Sequence, residues 1–243
     1  MKIALEISFD GTNYHGWQKQ NNAISIQQVL TDAWRRLTLE DANIVGCSRT
    51  DAGVHARSYV CSLDTQTKIP TDKIHLGLNT ELPPDIRALS ARRTEDDFSA
   101  RFSAKGKTYE YKAYLSEVEN PLLIRYAYNF RYNTDIEKMR RAAQDLVGTH
   151  DFTAFMAAGS SHKTTVRTIK NLEVLADGTD ITIRITADAY LYNMVRIISG
   201  TLLYVGAGKI AADDMPRILA EKERKNAGMT APAQGLYLVK VFY

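Results

Sequence analysis

The chain reads as an α+β protein assembled from α/β sandwiches, and three features of its 243 residues carry that reading. Lys2 to Phe9 and Lys107 to Leu115 alternate in side-chain character with the period of a strand. Ile26, Val29, Leu30, Ala33, Trp34 and Leu37 recur at helical spacing. Asp177-Gly178 stands between two strand-like runs, as a hairpin turn does. Strands, helices and hairpins therefore mix along the chain, which favours α+β or an open α/β sandwich over a regular βαβ repeat.

Taken in order, Ile3, Leu5, Ile7 and Phe9 share one face of the first strand, and Asp10-Gly11 ends it as a turn. A helix starts near Ser25. Its Ser25-Ile26-Gln27-Gln28 opening fits a capping box, in which the serine hydroxyl and the Gln28 side chain each satisfy an orphan amide. Two strands, led by Asn43–Gly46 and Ser58–Leu63, flank a polar loop. A short helix over Asp72–Leu78, the turn Leu82-Pro83-Pro84-Asp85 and a strand over Ile86–Arg92 complete a first half, taken as residues 1–103. The polar stretch Ser103-Ala104-Lys105-Gly106 opens the second, residues 104–243. There Tyr109, Tyr111 and Ala113 share one strand face, with Thr108, Glu110 and Lys112 on the other. Asp135–Val147 is a helix stopped by Gly148. Asn171–Leu175 and Asp180–Thr186 form the hairpin, Tyr192–Val205 and Asp213–Asn226 are helical, and Leu236–Phe242 is a strand.

Composition narrows the function classes. At 44% hydrophobic and 24% charged, the chain is globular. Its longest apolar stretch, Tyr190 to Val205, is too short for a membrane span and contains Arg196. The N-terminus turns polar at once, unlike a signal peptide, so the expected compartment is the cytoplasm. Cys47 and Cys61 lack CxxC spacing and read as reduced thiols, and the five histidines never take metal-ligand spacing. With no Walker or GxGxxG sequence after a strand either, the expectation is no metal and no cofactor. A net charge of +3 and a pI near 8.7 suit a polyanionic partner without requiring one.

Chemistry gathers in the loop GCSRTDAGVHARSYV, residues 46–60, where Arg49, Thr50, Asp51 and His55 crowd around Gly53. Arg49 and His55 are candidate substrate-binding groups. On the nearly all-apolar helix YNMVRIISGTLLYVG, Arg196 needs an anion, because an isolated buried charge is too costly. Asp51 is the natural partner; a purely structural ion pair, or snorkelling to the surface, is the plainer alternative. A hydrolase built on Ser48, Asp51 and His55 fits poorly, since all three lie within eight residues and no nucleophile elbow is present. Tyr109 offers a phenol that serves as an acid or base in a dry site, or else as core or a stacking platform.

The segment Arg49-Thr50-Asp51-Ala52-Gly53-Val54-His55-Ala56 resembles the RTDAGVHA signature of the TruA family of tRNA pseudouridine synthases. The resemblance runs the length of the chain, through DGTNYHGWQKQ from Asp10, LPPDI from Leu82, FSARFSA from Phe98, KTYEY from Lys107, GTHDF from Gly148, MVR from Met194 and APAQGL from Ala231. It implies isomerisation of uridine to pseudouridine at positions 38, 39 and 40 of the tRNA anticodon arm, without a cofactor. It places the catalytic aspartate on Asp51, the active-site tyrosine on Tyr109, the basic residue on Arg196, and a leucine packing on the target base on Leu236. It also implies a homodimer of two α/β (ferredoxin-like or RRM-like) subdomains whose antiparallel sheets join around a central basic cleft.

That reaction suits a chain without redox or energy-coupling motifs, because uridine and pseudouridine are isomers. It needs a carboxylate at the sugar, as nucleophile or as base for the 2′ proton, and a group to remove the C5 proton, for which Tyr109 is the candidate. It also needs a closed pocket for the flipped and detached uracil. An RNA-binding or tRNA-folding module without catalysis is the competing class, and it leaves the set Asp51, Tyr109 and Arg196 unexplained.

Overall fold

A computed structural model describes residues 1–159 and 164–243 and divides the chain into two compact units. One comprises Met1–Lys105 with Tyr237–Tyr243; the other is Gly106–Leu236.

In the first unit, strand β1 (Lys2–Phe9) is followed by helix α1 (Ile26–Thr38), β2 (Val45–Gly46), β3 (His55–Asp64), α2 (Thr71–Glu81) and β4 (Ile86–Arg93). The sheet runs β4-β1-β3 and continues with the chain's last strand, Leu236–Phe242, while β2 pairs with β3. β1 is antiparallel to both neighbours, with Lys2 opposite Asp64 and Ile3 opposite Arg93. The last strand instead runs parallel to β3, with Tyr237 opposite His55 and Leu238 opposite Ala56. The sheet is thus mixed, not purely antiparallel as expected. Parallel neighbours need a long crossover, and here all of the second unit lies between them in sequence.

Helix α1 buries Ile26, Leu30, Ala33 and Trp34, as its periodicity requires. Ser25 caps it, its hydroxyl accepting from the Gln28 amide at 3.3 Å. The reciprocal half of the expected capping box is absent: the Gln28 side chain donates to Asp32, one turn on, at 2.7 and 2.8 Å.

The second unit contains β5 (Gly106–Leu115), β6 (Tyr128–Phe130), α3 (Ile136–Gln144), β7 (Gly148–Asp151), β8 (Val166–Asp177), β9 (Asp180–Ala187), α4 (Met194–Gly206) and α5 (Met215–Glu221). The last strand is β10 in chain order. The sheet runs β5-β9-β8-β7, with β6 parallel to β5. The β8–β9 hairpin turns at Gly178, in the left-handed conformation with φ +57°. Both faces of β5 are buried: Thr108 and Glu110 are as enclosed as Tyr109 and Tyr111, and Arg184 covers Glu110 through bonds of 2.8 and 3.0 Å. The helix expected over Asp213–Asn226 is broken. Only Met215–Glu221 is α-helical, and Lys222 ends it in the left-handed conformation. Among the described residues no helix is long and apolar enough to cross a membrane.

Candidate active site

Asp51 is half-buried on the loop between β2 and β3, with Arg49 and Ala52 exposed beside it. The loop closes on itself through the Val54 amide, which donates to the Asp51 carbonyl at 3.2 Å, and a second segment braces it. The segment Asp10–Gln20, after β1, lies against it backbone to backbone. The Trp17 amide donates to the Thr50 carbonyl at 3.3 Å, and the Gly53 amide donates to the Tyr14 carbonyl at 3.2 Å. Two glycines make that approach feasible. A Cβ on Gly16, whose φ is +76°, would stand 2.1 Å from the Thr50 oxygen, and one on Gly11 would stand 2.0 Å from the Val54 oxygen. Gly53 itself takes φ +78°, a conformation glycine adopts without strain.

Aromatic rings back the loop from within the unit. Trp17 stacks on Tyr59 at 4.3 Å, and the Tyr59 hydroxyl donates to the Ser48 carbonyl. His55 is 2% exposed. Its ring stacks on Tyr237 at 4.7 Å, and its Nδ1 lies 3.1 Å from both the Gly11 amide and the Asp10 carboxylate. Arg57, exposed, lies over the same Tyr237 ring at 5.5 Å. Burial pushes the Cys61 thiol up, which agrees with its reading as an inert reduced thiol.

The second unit carries Tyr109, Arg196 and Leu236. Tyr109 is 5% exposed and meets Tyr190 edge-on at 5.0 Å. The Tyr190 hydroxyl is directed between the Lys107 and Ile185 carbonyls, at 2.8 and 2.9 Å. Burial, and then Tyr109 beside it, hold the Tyr190 phenol well above its ordinary range. Arg196 donates from Nε to the Ala231 carbonyl at 2.8 Å and from Nη1 to the Asn193 side chain at 2.9 Å. The neighbouring Tyr111 hydroxyl donates to the Pro232 carbonyl at 2.9 Å. Burial raises the Tyr111 phenol, although Arg196 pulls the other way. Gly235 packs so closely on Tyr111 that a Cβ there would meet the ring at 2.7 Å, and Leu236 follows it, buried. The stretch Ala231–Leu236 therefore ties Arg196, Tyr111 and Leu236 into one packed group. Thus Arg49 and Asp51 share one loop of the first unit with His55 at the start of β3 beside them, while Arg196 and Leu236 join through one segment in the second.

The sequence reading places Tyr111 only on a strand face beside Tyr109 and gives no site role to Tyr190 or Asn193. Asn193 immediately precedes α4 in the left-handed conformation, φ +59°, and its side-chain oxygen accepts from Arg196 instead of capping the helix. Asparagine immediately before a helix was the available signal, since it tolerates that conformation better than most residues. Among the described residues no group of three or more histidine, cysteine or acidic side chains is placed to hold a metal ion.

The family model described as tRNA pseudouridine synthase matches residues 6–103 and 142–243. The chain belongs to the tRNA pseudouridine synthase family. A tRNA pseudouridine synthase A of Thermoanaerobacter pseudethanolicus is 48% identical over 241 residues, covering 99% of each chain. The tRNA pseudouridine synthase A of Acetivibrio thermocellus is 47% identical over the same span and coverage. Among solved structures, the archaeal box H/ACA sRNP Nop10-Cbf5 complex aligns with TM-score 0.43 at 13% identity, over 98% of this chain and 48% of that one. As a tRNA pseudouridine synthase the protein is an isomerase that modifies RNA, not a hydrolase and not a binding module alone.

Proposed function

We propose that this enzyme converts uridine to pseudouridine at positions 38, 39 and 40 of the tRNA anticodon arm, with Asp51 acting at the ribose. The observation that supports this reading is the fixing of the Asp51 loop by a second backbone segment, so that the backbone bearing a half-buried carboxylate is braced before substrate arrives. Such prior positioning is what nucleophilic or proton-abstracting catalysis at a sugar requires. Arg196 serves as the ion partner that orients Asp51. Tyr109 takes the C5 proton after the new carbon–carbon bond forms, and Leu236 packs on the flipped base. Arg49, exposed on the same loop, contacts the tRNA; His55, sealed beneath it, supports substrate binding from below.

The same reading makes the enzyme a cytoplasmic homodimer of two α/β sandwiches around a central cleft, working without a cofactor. Release of tritium from 5-tritiated uridine in tRNA tests the central assignment. Asp51→Asn should abolish release while tRNA affinity stays within a few-fold, because phosphate contacts supply most nucleic-acid affinity. Substantial turnover by the Asn variant removes Asp51 from the reaction.

A further inference from the structure

The turn Leu82-Pro83-Pro84-Asp85 has no part in the chemistry above, yet it is joined to the Asp51 loop by a continuous series of bonds. Two prolines restrict the turn. The Ile86 amide closes it onto the Pro83 carbonyl at 3.1 Å. Nη1 of Arg87 is directed at the carbonyls of Leu82, Pro83 and Ile86, at 3.2, 2.6 and 2.8 Å. From this rigid base Asp85 grips the Asp10–Tyr14 segment at three points. Its carbonyl accepts from the Asp10 amide at 2.9 Å, and its carboxylate accepts from the Tyr14 hydroxyl at 2.6 Å and the Asn13 side chain at 3.4 Å. Tyr14 passes the constraint on, since its carbonyl accepts from the amide of Gly53, two residues beyond Asp51. Tyr14 is 7% exposed and its bond to Asp85 is partly buried, which shields it from much of the competing water.

We propose that Tyr14 and Asp85 are positioning residues for catalysis, a strut through which the proline turn sets where the Asp51 carboxylate stands. This rests on Asp51 being the catalytic group. A one-ångström misplacement of such a group is enough to lower turnover by ~10²-fold. A strut acts on the rate of the chemical step and leaves the phosphate contacts that bind tRNA untouched.

The test is a set of variants assayed at a temperature well below every melting point, with Asp51→Asn run alongside. Tyr14→Phe removes one oxygen and keeps the buried ring. Asp85→Ala removes the acceptor, whereas Asp85→Asn keeps an acceptor oxygen of the same reach. Tyr14→Phe and Asp85→Ala should each lower kcat by about ten-fold or more with KM for tRNA within about two-fold, and the double variant should fall no further than the worse single. Asp85→Asn should stay within a few-fold of the parent. Parental kcat in Tyr14→Phe overturns the strut, even if its melting point drops, because the bond is then only structural. Independent, additive losses overturn it too, as does an Asp85→Asn variant as slow as Asp85→Ala. If Asp85→Ala does not fold, Tyr14→Phe and Asp85→Asn decide alone. An active Asp51→Asn instead defeats the reading beneath the strut, whatever the other variants do.

Discussion

Gly16→Ala puts the packing of the candidate site to a quantitative test. The added methyl would stand 2.1 Å from the Thr50 carbonyl oxygen, against 3.4 Å for an ordinary contact. The oxygen belongs to backbone and cannot rotate away, so the Thr50 peptide must retreat by about 1.3 Å, the difference between those distances. Asp51 is the next residue and moves with it. Two costs follow. An alanine at φ +76° is strained by ~1–2 kcal/mol, and overpacking adds ~1–3 kcal/mol. Gly208→Ala provides the control, because Gly208 also has positive φ (+72°) but a Cβ there meets nothing within 4 Å. Only the backbone strain applies to it. For a chain of this size, ~2–4 °C of melting point corresponds to each kcal/mol, so Gly16→Ala should melt roughly 2–12 °C below Gly208→Ala. Single-turnover tritium release should fall by ~10²-fold in Gly16→Ala, the cost of a misplacement of about one ångström, and stay parental in Gly208→Ala. Parental release in Gly16→Ala, with a melting point equal to the control, refutes the claim that this contact fixes the loop.

Other outcomes follow from the same geometry. Tyr109→Phe should bind tRNA as the parent does, since the ring remains, while overall turnover falls by ~10²–10⁴-fold; parental turnover leaves Tyr109 as packing against Tyr190. Arg196→Ala should lower both activity and melting point, because it also deletes the bonds to Ala231 and Asn193, and Arg196→Lys should keep the charge without the two-pronged geometry. An Arg196→Ala variant that melts and turns over like the parent contradicts that reading. For Asp151, partial burial works to raise the carboxyl, but hydrogen bonds from Lys222, at 2.7 Å, and from Thr153 outweigh it and hold it well below the usual carboxylate range. A depressed folded-state pKa stabilises the protein above the unfolded value of ~4 and loses that contribution as pH falls below it. Lys222→Met should therefore lower stability most at neutral pH, and the difference from the parent should shrink as pH falls below ~4; a difference that does not shrink in acid rejects the pairing.

Most of the architecture could be read from side-chain periodicity, and the exceptions have physical causes. β1, α1 and the β8–β9 hairpin were legible because each has a full period of apolar residues and a turn or cap residue at its end. β6 was not, because three residues, Tyr128–Phe130, are too few to display alternation. The run after Asp213 has largely helix-forming composition, but its helix ends at Lys222; Arg224 beyond it bonds locally to the Gly228 carbonyl and the Thr230 hydroxyl, and the Gly228 amide is held by the Thr201 hydroxyl on α4 at 2.8 Å. In the candidate site, the concentration of Arg49, Asp51 and His55 was plain from residue types alone. The wall behind them was not: glycine shows its purpose only when the neighbour pressing on it is known, and Gly11 and Gly16 lie tens of residues from Val54 and Thr50.

The parallel pairing of β10 with β3 has a consequence for synthesis. When the ribosome has made β1 to β4, the first unit still lacks a strand, and β3 presents an open edge of amides and carbonyls along His55 and Ala56. The missing strand emerges only after residues 106–236 have been translated, which at ~5–20 residues per second is a delay of roughly 7–26 s. Through that interval the loop bearing Asp51 is attached to a sheet that is not yet finished, since Tyr237, the ring that stacks on His55, has not been made. The nascent chain thus carries its Asp51 loop on the part of the molecule that is among the first to be translated and the last to be completed, and an exposed strand edge accompanies it until Tyr237 and Leu238 arrive.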